Sequence, residues 1–308
     1  MVRSAVIRLL VAGLGAVAGI GATKQAPEPG TTVVARAMQP GEVIRLDVTC
    51  RCGDAPPRVI AFGRDVPLFP ESSPDGDTRW HGLIGIDLET SPGIYPLTVQ
   101  DPERRSPARV TDLHVVAKAF PTRRLQVAAG FVNPPPSDLE RISREAAALA
   151  ALFTGATPRR WDGPFGAPVA TGETSNFGSR SVFNGQARSP HGGVDYGSPA
   201  GAPVAAPAAG RIVLAEDLFF TGSTVVVDHG LGLYSLLAHL STITVGTGDL
   251  VERGAMVGRV GATGRVTGPH LHWAIRLSGA RVDPLSLLFA ATTERTAPGA
   301  PPAEALSR

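Results

Sequence analysis

Between residues 161 and 289 no long helical pattern interrupts a series of short apolar runs, at 204–206, 210–215, 223–227, 234–240, 256–260 and 271–277. Glycine and proline turns separate them. Parallel sheets need helical crossovers between strands, so this pattern predicts a mainly antiparallel β domain over residues 161–291. The glycine-rich stretch 258–264 lacks both the spacing and the following helix of a dinucleotide-binding turn.

The upstream half has a similar texture. Runs at 31–35, 43–49, 59–62, 83–88, 95–99 and 113–117 predict a small immunoglobulin-like β-sandwich over residues 28–120. Alternation in Val43-Ile-Arg-Leu-Asp-Val-Thr turns one face inward and the other to water. His81 and His114 stand alone there and read as structural or surface residues, and Trp80 as core. A connection at 121–160 follows, with a proline run at 134–136 that fixes an extended path. Ser137 with Glu140 reads as a capping box opening a helix over 137–153. Its stripe of Leu139, Ile142, Ala146, Leu149 and Phe153 must pack on a neighbouring unit. Cys50 and Cys52 are one residue apart, which leaves open a bridge of unusual geometry or a pair of free thiols. Too few cysteines exist for a thiolate metal site.

At the N-terminus a short positive segment with Arg3 and Arg8 precedes an uncharged run from Leu9 to Ala22. This predicts an export signal over residues 1–22, either cleaved after Ala22 or retained as an anchor. The run is too short to span a membrane, for which roughly 18 residues are needed. Without Arg3 and Arg8 the 29 basic residues fall to 27, matching 27 acidic ones, and no basic run suggests nucleic acid. The tail at 292–308 has the proline- and alanine-rich composition of a disordered segment.

Four residues near the ends of the second β region carry the chemistry. His191 and Asp195 flank Gly192 and Gly193, while His270 and His272 are separated by Leu271. Residues two apart on a strand face the same way, so both of the latter would look into one cleft. A catalytic zinc takes three protein ligands and leaves a fourth position for water, and these donors suffice with one histidine spare. His239 is a fifth candidate. His229, in Asp-His-Gly at a strand end, reads as structural.

Five ordered blocks then carry a resemblance: His191-Gly-Gly-Val-Asp195, the Ala/Pro-rich 201–210, Asp228-His-Gly, Ala238-His239-Leu-Ser, and 261–273 ending Gly-Pro-His270-Leu-His272-Trp. Residues 161–289 resemble the M23 peptidoglycan endopeptidases of lysostaphin and LytM type, with their duplicated-hybrid-motif-like fold. Segments starting at Phe131 and Phe177 resemble a subgroup with an N-terminal β domain. The resemblance implies one Zn²⁺ on His191, Asp195 and His272, with His239 and His270 as an unligated catalytic pair whose division of labour is open. It also implies peptide stems of cell-wall peptidoglycan as substrate and an exported, periplasmic or envelope-associated enzyme. By the same resemblance, the N-terminal domain or the helix opening at Ser137 would lie across the cleft and hold the enzyme latent by an intramolecular contact. One departure is Leu237, where many members carry an aromatic residue. A noncatalytic peptidoglycan-binding scaffold or amidase activator is the competing expectation, and the retention of all five positions argues against it.

Overall fold

The structure is a computed structural model that describes residues 7–10, 30–50, 55–72, 78–101, 107–170, 172–174 and 176–292. It is mainly β. Most of the expected export signal lies outside the described residues, apart from Ile7–Leu10, whose backbone pairs antiparallel with Gly30–Ala35. The expected tail lies outside them beyond Thr292. No helix among the described residues is long and apolar enough to cross a membrane.

Two antiparallel sheets form the N-terminal sandwich. One orders Ile7–Leu10, Gly30–Ala35, Val43–Cys50, Thr78–Gly85 and Leu68–Ser72; the other orders Arg64–Asp65, Arg58–Ala61, Gly93–Gln100 and Arg109–Val115. The alternation read in residues 43–49 is present: Ile44, Leu46 and Val48 are buried between half-exposed Arg45, Asp47 and Thr49. Trp80 belongs to this core. His81 is held between Asp47 and Glu71, at 2.6 and 2.7 Å. Cys50 is disulfide-bonded, and Cys52 lies outside the described residues.

The connection is more structured than its prolines suggest. Thr122–Leu125 runs parallel to Arg180–Phe183, which pairs in turn with Gln186–Ala187. The long helix spans Pro136–Leu152 and has no side-chain cap, so the capping box is corrected. Pro136 takes the first helical position, where its missing N–H costs nothing, and Ser137 falls inside the first turn. Phe153, Leu149 and Leu152 pack on Leu214, Val226, Tyr234, Leu236 and Ala274, whereas Leu139 at the other end is exposed.

The C-terminal sheet orders Glu173–Thr174, Gly193–Tyr196, Leu271–Leu277, Leu233–Ile243, Gly222–Gly230, Gly210–Leu218 and Leu250–Val251. Met256–Val260 joins it by pairing with both Leu233–Ile243 and Pro203–Ala205. Five of the six predicted runs lie within strands, the sixth overshoots Pro203–Ala205 by Ala206, and the element after Met256–Val260 is the strand Leu271–Leu277, not a helix. Alternation sorts the two faces. Leu237, Trp273 and Ile275 enter the main core, while Ala238 and Ala274 face the other side, where the long helix packs. A helix at Pro284–Thr292 was not expected; its signal is Asp283-Pro284, where Asp283 Oδ1 accepts the Leu285 N–H at 3.0 Å.

The two units share one core, since Val43, Phe69 and Leu88 of the sandwich pack with residues of the second sheet. Buried Glu42 receives Arg36, Lys118 and the Ser286 hydroxyl, and Arg36 also reaches Asp283 at 2.6 Å. Arg281 pairs with Asp87 at 2.8 Å. These contacts fix the sandwich against the back of the second sheet.

Candidate metal centre and its neighbouring histidines

Register brings the donors together. Asp195 and His272 are direct cross-strand partners of adjacent antiparallel strands, so their side chains rise from the same face. His191 enters from the turn before Gly193. A Cβ on Gly193 would stand 2.5 Å from the Trp273 carbonyl oxygen and 2.8 Å from His272 Nε2, so only glycine lets the backbone pass this close to the imidazole. His191 Nε2, Asp195 Oδ1 and His272 Nδ1 then form a triangle with sides of 3.0, 3.0 and 3.1 Å.

That triangle fits a metal better than it fits hydrogen bonding alone. Each imidazole nitrogen faces both the other nitrogen and the same carboxylate oxygen, and no arrangement of single protons can make all three sides linear. A tetrahedral ion with bonds of about 2.0–2.1 Å holds its donors roughly 3.3 Å apart, close to the separations seen. Two nitrogens and one oxygen suit a borderline metal. The group can hold such an ion.

Asn176 orients the carboxylate. Its Nδ2 donates to Asp195 Oδ2 at 2.6 Å, and its Oδ1 accepts the Asp195 backbone N–H at 3.2 Å. Burial alone would raise the Asp195 pKa, but the His191 and His272 contacts overturn this and hold the carboxyl far below the usual range. Burial pushes the His272 pKa down, against the opposing pull of Asp195. The first effect favours an ionised Asp195 carboxylate and the second a neutral His272 imidazole, donor states that bind metal.

His239 and His270 stand beside this group, with ring centroids 4.8 Å apart, and His239 lies 5.9 Å from His272. Regular alternation would send His239 into the core with Leu237, because Ala238 is the residue opposite His272. His239 instead has φ of 64°, a left-handed backbone that costs a β-strand residue on the order of 1–3 kcal/mol and swings the ring toward the site. Its amide is held by the Thr221 carbonyl at 2.9 Å. Leu237 faces the core on the opposite side of the strand from Ala238, so an aromatic residue on that side chain's path would pack in the core.

One loop sets the tautomer of both rings. His239 Nδ1 donates to the Thr263 carbonyl and His270 Nδ1 to the Gly268 carbonyl, each at 2.8 Å, and a carbonyl can only accept. Their Nε2 atoms therefore carry the lone pairs. Burial, reinforced by the charges of His272 and His270, pushes the His239 pKa down to about 3. It is a neutral base at physiological pH.

All five sequence-predicted site residues thus converge, and His229 takes the structural part expected of it. It is fully buried, bonded to the Ala209 carbonyl and the Ser235 hydroxyl. Sequence reasoning missed Asn176, Thr263 and Gly268. Asn176 directly precedes the quoted Phe177 segment, and its neighbour in that block was the available signal. The other two act through backbone carbonyls, which leave no mark in side-chain identity.

Comparison with known proteins agrees with this geometry. Residues 189–284 match the family model Peptidase family M23. Over 97 residues the chain is 42% identical to DD-carboxypeptidase/endopeptidase Mpg of Neisseria meningitidis, covering 32% of this chain and 22% of the relative. Over 111 residues it is 39% identical to peptidoglycan DD-endopeptidase ShyA of Vibrio cholerae, covering 36% of this chain and 26% of the relative. The chain therefore spans about a quarter of the length of these curated relatives. A crystal structure from Pseudomonas aeruginosa assigned to peptidase M23 is similar over both β units, with 36% identity and a TM-score of 0.64 across 82% of this chain and 96% of that one. Because this likeness runs through the sandwich as well as the sheet that bears the converging donors, the chain belongs to peptidase family M23.

Proposed function

We propose that the protein is a zinc-dependent endopeptidase that hydrolyses peptide crosslinks of bacterial peptidoglycan, with His191, Asp195 and His272 as zinc ligands. The observation that carries this reading is the three-donor triangle with two further imidazoles beside it, each anchored through Nδ1 to a backbone carbonyl so that Nε2 is the free ring nitrogen. When bound, zinc would supply an acidified water and polarise the scissile carbonyl.

The chain's own residues then divide the proton work. Neutral His239 or His270 takes a proton from the attacking water through Nε2, and the protonated ring of the pair stabilises the oxyanion or returns the proton to the leaving amine. The Thr263 and Gly268 carbonyls keep each Nδ1–H in place throughout, so the imidazolium form gains a ready acceptor. Gly193 and Asn176 fix His272 and Asp195 against rotation.

The DD-endopeptidase names of the relatives favour the D-alanyl to diaminopimelate crosslink as the bond cut, and the leader read in residues 1–22 favours export to the periplasm or envelope. A latency contact from the sandwich or helix finds no support in the hydrogen bonds and ring contacts of the five site residues, which all involve residues 176–272. The scaffold reading has no observation in its favour.

Digestion of purified peptidoglycan, followed by mass spectrometry of the fragments, tests the proposal. Loss of crosslinked dimers that a zinc chelator abolishes and added zinc restores is expected. Intact dimers after incubation with zinc-loaded protein would overturn it.

A further inference from the structure

The loop from Thr263 to Gly268 supplies the carbonyls that anchor His239 and His270, and Arg265 lies between them. Its guanidinium is unusual. Cζ stands 4.9 Å from the Phe183 ring centroid and 4.5 Å from that of Phe220, so aromatic faces hold it. Among the described residues no carboxylate pairs with it. An arginine kept for solubility would extend into water, and one kept for structure would spend its fork of donors on carboxylates or carbonyls. Arg265 does neither. Close backbone approach of Gly264 to Gly222 and a 2.9 Å bond from the Arg265 amide to the Phe220 carbonyl hold the loop that presents it.

A second cation is nearby. Arg188, three residues before His191, closes the hairpin that carries Phe183, the ring under Arg265: its N–H donates to the Ser181 carbonyl at 2.9 Å, next to the Val182–Ala187 pair, and its charge, after burial, lowers the Arg265 pKa. Arg188 is fixed through Nη2 to the Val132 carbonyl at 2.5 Å and to Gln186 Oε1 at 2.8 Å, and its buried Nε has no partner. Two rigid guanidiniums placed together without an acid repel each other, and the arrangement is relieved when an anion arrives. Arg188 also lines a groove of about 600 Å³ that runs from Leu88 and Lys118 past Arg180 to Pro190, beside His191. Lys118 is already paired with Glu42 and Glu89 with Arg281, which leaves Arg180 and Arg188 without a carboxylate partner among the described residues.

We propose that Arg265, with Arg188 beside it, forms a carboxylate-binding subsite at the rim of the metal centre that selects peptides carrying a free carboxylate near the bond cut. This rests on the endopeptidase reading, whose stem-peptide substrates carry such carboxylates. The planar fork of an arginine matches a carboxylate's two oxygens.

The test compares zinc-loaded full-length protein on two synthetic crosslinked stem peptides, identical except that one has its free carboxylates converted to amides. Wild type should prefer the acid peptide by at least about tenfold in kcat/KM, chiefly through KM, as expected for a charge-assisted hydrogen bond. In Arg265→Gln the ratio should collapse toward one through loss on the acid peptide, and Arg188→Gln, on a separate segment, should reduce it. Arg265→Lys should restore part of it. Zinc content and melting midpoint identify a variant that has misfolded, in which case the Arg188 variant decides. No acid preference in wild type, or the same ratio in wild type and both variants, overturns the subsite. Cleavage of neither peptide would instead sink the endopeptidase reading. Calorimetric titration with the two peptides then decides the subsite: an acid preference lost in Arg265→Gln supports it, and equal or undetectable binding overturns it.

Discussion

Asn176 grips Asp195 twice, donating to its outer carboxylate oxygen and accepting from its backbone amide. The carboxylate can thus turn only one oxygen toward His191 and His272. Asn176→Ala should weaken metal binding by roughly 10–100-fold while leaving the protein folded, since hydrogen-bond partners of metal ligands contribute on that scale. Competition with a chromophoric chelator measures it. Unchanged affinity would remove Asn176 from the account.

Ligands and proton carriers should separate cleanly on mutation. His272→Ala should abolish zinc binding, read as metal per chain after dialysis. His239→Ala should retain zinc and lose turnover by roughly 10²–10⁴, the usual worth of a positioned acid–base group. Zinc loss in the His239 variant, or full activity in either, contradicts the assignment.

Gly193→Ala tests the close packing beneath the site. The new methyl would collide with the Trp273 carbonyl and the His272 ring, neither of which can move without breaking the strand pairing or the triangle. A loss of about 1–3 kcal/mol in unfolding free energy with reduced zinc occupancy is expected. Wild-type melting and zinc content in this variant would show that the approach is looser.

The junction of the two units should be sensitive to acid. Burial would raise the Glu42 pKa, but Arg36, Lys118 and Ser286 outweigh it and lower it. A depressed folded pKa gives stability that is complete above the unfolded value of about 4.3 and is lost as pH falls through the folded value. Glu42→Gln should therefore cost about 2 kcal/mol near pH 7, and the gap to wild type should shrink below about pH 4. Thermal melts from pH 7 to pH 3 measure this. A constant gap would mean that the carboxylate's charge contributes nothing at the junction.

Much of the site was legible because strand periodicity and histidine chemistry are written in side chains. His270 and His272 share a donor-rich segment, and the apolar runs around them form the strands predicted. What stayed hidden depends on backbone. The left-handed turn at His239 overrides alternation, and it sits in a register shift against Gly222–Gly230, where Leu237 pairs with Val225 but Leu240 with Ser223, which no single stretch of sequence reveals. The helix start moved by one residue because a proline's fixed φ outcompeted a serine cap. Nothing in the sequence around Glu42 marks it, and only its position against Arg36 and Ser286 makes it a joint between the two units.

An anomalous-difference map at the zinc edge, from crystals of the zinc-loaded protein, addresses the ligand assignment most directly. A single peak about 2.0–2.2 Å from His191 Nε2, Asp195 Oδ1 and His272 Nδ1, with His239 and His270 outside bonding distance, is the predicted result. A peak bonded to His239 or His270, or no peak at the triangle, would contradict it.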